Sequence, residues 1–141
     1  MGGASVKILR HLRLLTVVTA AQCTVAAALR VASIARVRAS VRACRGAAAI
    51  LVPRSNEQIA WAIEATGRRL GTAGSCLVRA LVAEMLLDGS DGVVRVSLGV
   101  KHDADGSLRA HAWVTRNDRI LVGAPAHDYV PIVTWTASNL R

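Results

Sequence analysis

The sequence predicts an α+β domain, in which N-terminal helices are followed by a cysteine-bearing helix packed on a small antiparallel sheet. Three observations carry that prediction. Residues 6–50 hold no proline and a single glycine, Gly46, and are dominated by Ala, Val, Leu and Arg, a helical composition. From Val94 onward the apolar period falls from between three and four to two. Turn-rich clusters then divide the remainder into three alternating runs, so helices come first and an antiparallel meander second.

Each element follows from its own residues. The basic, apolar front half reads most simply as two helices with a break near Ser33. Pro53 closes that part, Ser55 or Asn56 can cap a third helix, and Ile59, Ala62 and Ile63 give it one apolar face. The Gly-rich "GTAGS" of residues 71–75 leads to Cys76. Behind it Val78, Leu81, Val82, Met85 and Leu86 recur as one buried helical stripe, which Asp88 and Gly89 terminate. Val94, Val96, Leu98 and Val100 alternate with Arg95, Ser97 and Gly99 as a half-buried strand does. "HDADGS" breaks the chain, "LRAHAWVTR" forms a second strand, Asn117 and Asp118 a two-residue turn, and "RILVGAP" a third strand.

A chain of 141 residues fits a single domain, 1–141, made of a basic helical part, 1–52, and a core, 53–141. With 52% apolar and 19% charged residues it has enough surface to bury, which excludes a disordered chain. Three Trp, one Tyr and no Phe leave no stacking platform for single strands, and no groove-reading motif is present, so nucleic acid is not an expected partner. The net charge of +9 is concentrated in front: residues 1–56 hold nine Lys or Arg and no acid, whereas 57–141 hold nine of each sign. That half either meets something anionic, a membrane face or an acidic peptide among the options, or presents a solvated basic face. The uncharged stretch 14–29 is short for a bilayer span and diluted by Thr and Gln. The expectation is a cytoplasmic protein with peripheral membrane contact as an option.

Cys23, Cys44 and Cys76 are scattered, without zinc-ligand spacing, which suits a reducing compartment. No metal and no cofactor is expected. His102, Asp103 and Asp105 lie in a turn-rich hairpin rather than at metal-ligand spacing. Cys76 has two readings. One is a small buried residue. The other is a nucleophile, because the positive end of a helix dipole favours thiolate. A nucleophile needs a base, and the candidates are His11, His102, His111 and His127. His111 stands out because it lies inside a strand, on the face of Trp113 and Thr115. Trp113 serves either as core or as a shield over the imidazole, and Arg79 pairs with an acid, supports the thiolate or lies on the surface.

"CLVRALVAEMLLDG", "VRVSLGV" and "AHAWV", in that order, resemble the transglutaminase-like cysteine peptidases that remove the leader from lasso-peptide precursors, in the short form lacking a fused leader-recognition domain. The similarity runs from about Pro53 to Tyr129 and implies a papain-like core with Cys76 as nucleophile and His111, on the sheet facing it, as general base. It also implies three partners: a precursor peptide, a separate leader-recognition protein, and a macrocyclase. The family usually places a carboxylate near the end of the strand after the histidine. Here a two-residue turn at Asn117 and Asp118 makes strand partners sum to 235 and sets Ala124 opposite His111, while Asp118 lies about 20 Å along the strand. Asp128, just beyond the strand, is the expected orienting residue, with a backbone carbonyl or water as the alternative. Two other readings stand beside the peptidase: an inactive relative that binds the leader or scaffolds its partners, and a basic membrane-surface or nucleic-acid-binding protein.

Overall fold

The computed structural model describes residues 2–52, 55–87, 92–124 and 126–137. Helix α1 spans Gly2–Val31, α2 Ile34–Leu51, α3 Asn56–Gly67 and α4 Cys76–Leu86, followed by strands β1 (Val94–His102), β2 (Leu108–Arg116), β3 (Arg119–Val122) and β4 (Val130–Thr136). The break between α1 and α2 falls where the sequence places it, and Ser33 caps α2 by accepting from the Arg36 N–H. Ser55 rather than Asn56 caps α3, accepting from Gln58. The stops expected at Pro53 and at Asp88 and Gly89 lie outside the described residues. Among those described, α4 ends at Leu86 and the Leu87 N–H closes on Ala83 O.

Helix α4 is the centre of the fold. It packs against α2, α1, α3 and β2, and Val78, Ala80, Leu81, Val82, Ala83 and Leu86 are all buried. Its small residues let three helices and a sheet close around it, while Ile59, Ile63, Val18, Val41 and Val37 fill the gaps. A buried carboxylate lies inside this core. Glu84 is fully buried, with Arg38 of α2 on both carboxylate oxygens at 3.3 and 3.4 Å and the Trp135 Nε1–H of β4 on Oε2 at 3.0 Å.

The sheet has the order β3-β2-β1-β4 with antiparallel pairing throughout. The three expected strands form the meander. Strand β4 was not expected: Pro131 within it and its largely exposed side chains hide it from periodicity, and an edge strand tolerates both. The third strand is also shorter than expected, ending at Val122, with Gly123 turned out at φ 87°. Asn117 and Asp118 both have positive φ, 49° and 63°, the requirement of a tight type I′ hairpin turn. The expected alternation of side chains in β1 holds, but both faces are covered in part: Val94 and Val96 are buried towards the helices, Ser97 and Gly99 on the other face beside their partners Trp113 and His111, and Leu98 is half-exposed. The β1–β4 ladder shifts register between Leu98 and Gly99.

Candidate active site

The site is built at the start of α4. Ser75 caps the helix, its hydroxyl accepting from the Val78 N–H at 3.4 Å, and so fixes Cys76 as the first helical residue. The approach depends on Gly74, where any side chain would collide with the Gly67 carbonyl at the end of α3. The Cys76 side chain is half-buried, packed partly against the apolar core.

One turn later Arg79 donates through Nη1 to Glu64 Oε2 of α3 at 2.6 Å, so of its three expected roles Arg79 takes the pairing with an acid. The other oxygen, Glu64 Oε1, accepts the Gly123 N–H at 2.7 Å. The Gly123 carbonyl in turn accepts from His111 Nε2 at 2.6 Å. A carbonyl oxygen can only accept, so Nε2 carries the ring proton, and Nδ1 of the neutral imidazole is left as the acceptor. A chain of three contacts therefore joins the first turns of α4 to the His111 ring. Gly123 also makes this junction sterically feasible, because a Cβ there would lie 2.6 Å from Ala112 O and 2.9 Å from the Trp113 Cα.

The imidazole lies in an aromatic setting. Its centroid is 4.9 Å from that of Tyr129 and 6.1 Å from that of Trp113, and Lys101 Nζ sits over the Tyr129 ring, 4.9 Å from its centroid. Ala112 and Val114 enter the core with the helices, so alternation puts His111 and Trp113 on the other pleat with their cross-strand partners Gly99 and Ser97. Trp113 is buried there, outside the main apolar cluster. The resemblance implied a thiol and an imidazole face to face. Among the described residues no hydrogen bond joins Cys76 to His111, and the connection between them runs through Arg79, Glu64 and Gly123.

Among the described residues Asp128 makes no hydrogen bond with His111. Its carboxylate is exposed and faces His127 Nε2 at 3.4 Å. The expected partner sum of 235 holds for Arg116 with Arg119 and for Thr115 with Ile120, then becomes 236 at Val114 with Val122. The ladder ends there, so Ala124 has no paired position opposite His111, and the Gly123 carbonyl meets Nε2 of that ring. The remaining histidines are engaged elsewhere or exposed: His11 meets Trp61 edge-on, and His102 ends β1 in solvent. In the hairpin Asp103 pairs with Arg109, and Asp105 is held below the usual carboxylate range by the hydroxyl and then the N–H of Ser107.

Sequence reasoning missed Glu64 and Gly123. Glu64 sits 59 residues from its Gly123 partner, and no spacing rule connects them. The readable signal was negative: a glycine and an alanine stand where a carboxylate was looked for.

The sequence profile of the transglutaminase-like superfamily matches residues 19–134. No curated protein and no solved structure matches the chain. The match takes in α2, α3, α4, strands β1 to β3, most of β4 and the second part of α1. The chain belongs to the transglutaminase-like superfamily.

Proposed function

Starting from that membership, we propose that the protein is a cysteine peptidase that removes the leader from a ribosomally made lasso-peptide precursor, acting in the cytoplasm beside a leader-recognition protein and a macrocyclase. The observation that carries the reading is the His111–Gly123 contact. It leaves Nδ1 of a held imidazole as a base, in a domain whose family includes cysteine peptidases. Cys76 attacks the scissile carbonyl, His111 takes the thiol proton and returns it to the leaving amine, and backbone N–H groups at the start of α4 receive the oxyanion. Water then hydrolyses the acyl-enzyme. The Gly123 carbonyl does the orienting that a carboxylate does elsewhere. Proton transfer requires the thiol and the imidazole to come together across the Arg79, Glu64 and Gly123 connection, as catalytic hydrogen bonds commonly tighten only in the substrate complex.

The test is incubation of precursor with this chain and the recognition protein, read by product mass. Wild type releases the leader and Cys76→Ala does not; cleavage by Cys76→Ala at the wild-type rate would remove the proposal. One observation favours a second reading, an inactive leader-binding relative: among the described residues, no carboxylate touches His111 and no hydrogen bond links it to Cys76. Iodoacetamide labelling near pH 6 separates the two. Rapid modification of Cys76, lost in His111→Ala, marks a peptidase, whereas slow modification unaffected by that change marks the inactive relative.

A further inference from the structure

Helix α1 changes character along its length. In its second part Leu14, Val18, Gln22 and Val25 recur on one face and are buried. Gln22 is fully buried and donates through Nε2 to Ile63 O and Thr66 Oγ1, both at 2.9 Å. That part is committed to the core. Residues 3–13, by contrast, are exposed without exception, although Val6, Ile8, Leu9 and Leu12 are among them at 46 to 65% exposure. Lys7, Arg10 and Arg13 are interleaved with these apolar side chains, and no acid occurs before Glu57. His11 places Trp61 of α3 next to this segment, ring centroids 5.9 Å apart, and that indole is half exposed.

We propose that the first turns of α1, together with Trp61, form a surface that docks peripherally on an anionic lipid bilayer. The chemistry matches on three counts. Three cations with no acid in the segment complement lipid phosphates. Ile8, Leu9 and Leu12 are free to enter the acyl boundary, and an exposed indole suits the headgroup zone, where Trp concentrates. By length and hydropathy residues 3–31 would suffice to cross a membrane. The buried stripe and the Gln22 contacts exclude a span in this fold and leave only the first turns to lie on the surface. An acidic peptide would satisfy the cations but not the exposed aliphatics around them.

The experiment is co-sedimentation of the full chain with phosphatidylcholine vesicles, with and without phosphatidylglycerol. Wild type is expected to pellet with the anionic vesicles alone, less as salt rises, and Trp emission to shift blue unless Trp61 is replaced by Phe. The triple change Lys7→Gln, Arg10→Gln, Arg13→Gln should lower partitioning roughly a hundredfold. Leu9→Ser with Leu12→Ser should also weaken it, with helical circular dichroism unchanged because every altered side chain is exposed. Failure of wild type to bind anionic vesicles, or equal binding to neutral ones, would overturn the proposal. So would polyglutamate binding that exceeds vesicle binding and is lost in the triple variant, which would assign the surface to an acidic partner. A sedimentation-equilibrium dimer abolished by Leu9→Ser with Leu12→Ser would assign it to a second copy of this chain.

Discussion

Glu84 is the place to test the account of the core. Its carboxylate is fully buried in the last turn of α4 and accepts one N–H of Arg38 Nε, shared between its two oxygens, and the Trp135 Nε1–H, while the Arg38 guanidinium also lies 4.1 Å from the Trp135 ring centroid. One side chain thereby ties α2 and β4 to the central helix. Removing one member of a buried pair costs about 3–5 kcal/mol when the survivor stays buried. Here the Arg38 side chain is 25% exposed and can reach water, so the lower end of that range, about 3 kcal/mol, applies to Glu84→Ala. Glu84→Gln keeps one acceptor but turns an amide donor toward another donor, for about 2 kcal/mol. In a chain of this size each kcal/mol moves Tm by about 3–4 °C, giving losses of about 10 °C and about 7 °C. Thermal unfolding followed by circular dichroism measures both. Coupling is tested by a double-mutant cycle with Arg38→Met, expected to recover about 1–2 kcal/mol relative to additivity. A Glu84→Ala protein within 2 °C of wild type by this assay, about half a kcal/mol, would show that the triad does not hold α2 and β4 in place.

Gly123→Ala forces a side chain against Ala112 O at a positive φ, so it should cost about 2–3 kcal/mol in urea unfolding. If the proposed peptidase is correct, the same change should also lower kcat more than it raises KM. Glu64→Gln weakens the acceptor that seats the Gly123 N–H and the Arg79 guanidinium, and precursor cleavage should fall about tenfold, from loss of about 1.4 kcal/mol, in the mass assay. Ser75→Ala removes the α4 cap and should lower unfolding free energy by about 1 kcal/mol. Acid sensitivity follows from Glu57 and Asp105. Glu57 is held low by its own backbone N–H and then, against the opposing effect of desolvation, by Arg116; Asp105 is held low by Ser107. Carboxyls with depressed folded values stabilise fully above the unfolded value and lose that stabilisation as pH falls through the folded one. Stability should therefore decline from about pH 4 downward. Urea midpoints for Glu57→Gln with Asp105→Asn should decline less over the same interval.

What could be read in the sequence was whatever local spacing encodes. The α1–α2 break is set by a capping serine, the α4 stripe by its helical period, and the hairpin turn by Asn117 and Asp118, all short-range effects. Cys76 was legible for the same reason, since Gly74 and Ser75 announce a helix start. Strand β4 was hidden because its identity depends on pairing with β1 at long range, and Pro131 argues against a strand when seen alone. The register change at Val114 is a tertiary event: it removes the pairing expected between Ala124 and His111, whose Nε2 meets the Gly123 carbonyl instead. Glu64 and Glu84 were equally opaque. A lone acid in an apolar helix says that it needs a partner, not which of the cations elsewhere in the chain will supply it.

The enclosure of α4 has a consequence for how the protein is made. Three of its neighbours, α1, α2 and α3, leave the ribosome before it, but the sheet that seals its remaining side is synthesised afterwards. During that interval the nascent chain carries an uncovered aliphatic helix, and sequence-distant contacts of this kind slow the final step of folding. Chaperone dependence in the cell should therefore centre on the interval before β1 and β2 emerge.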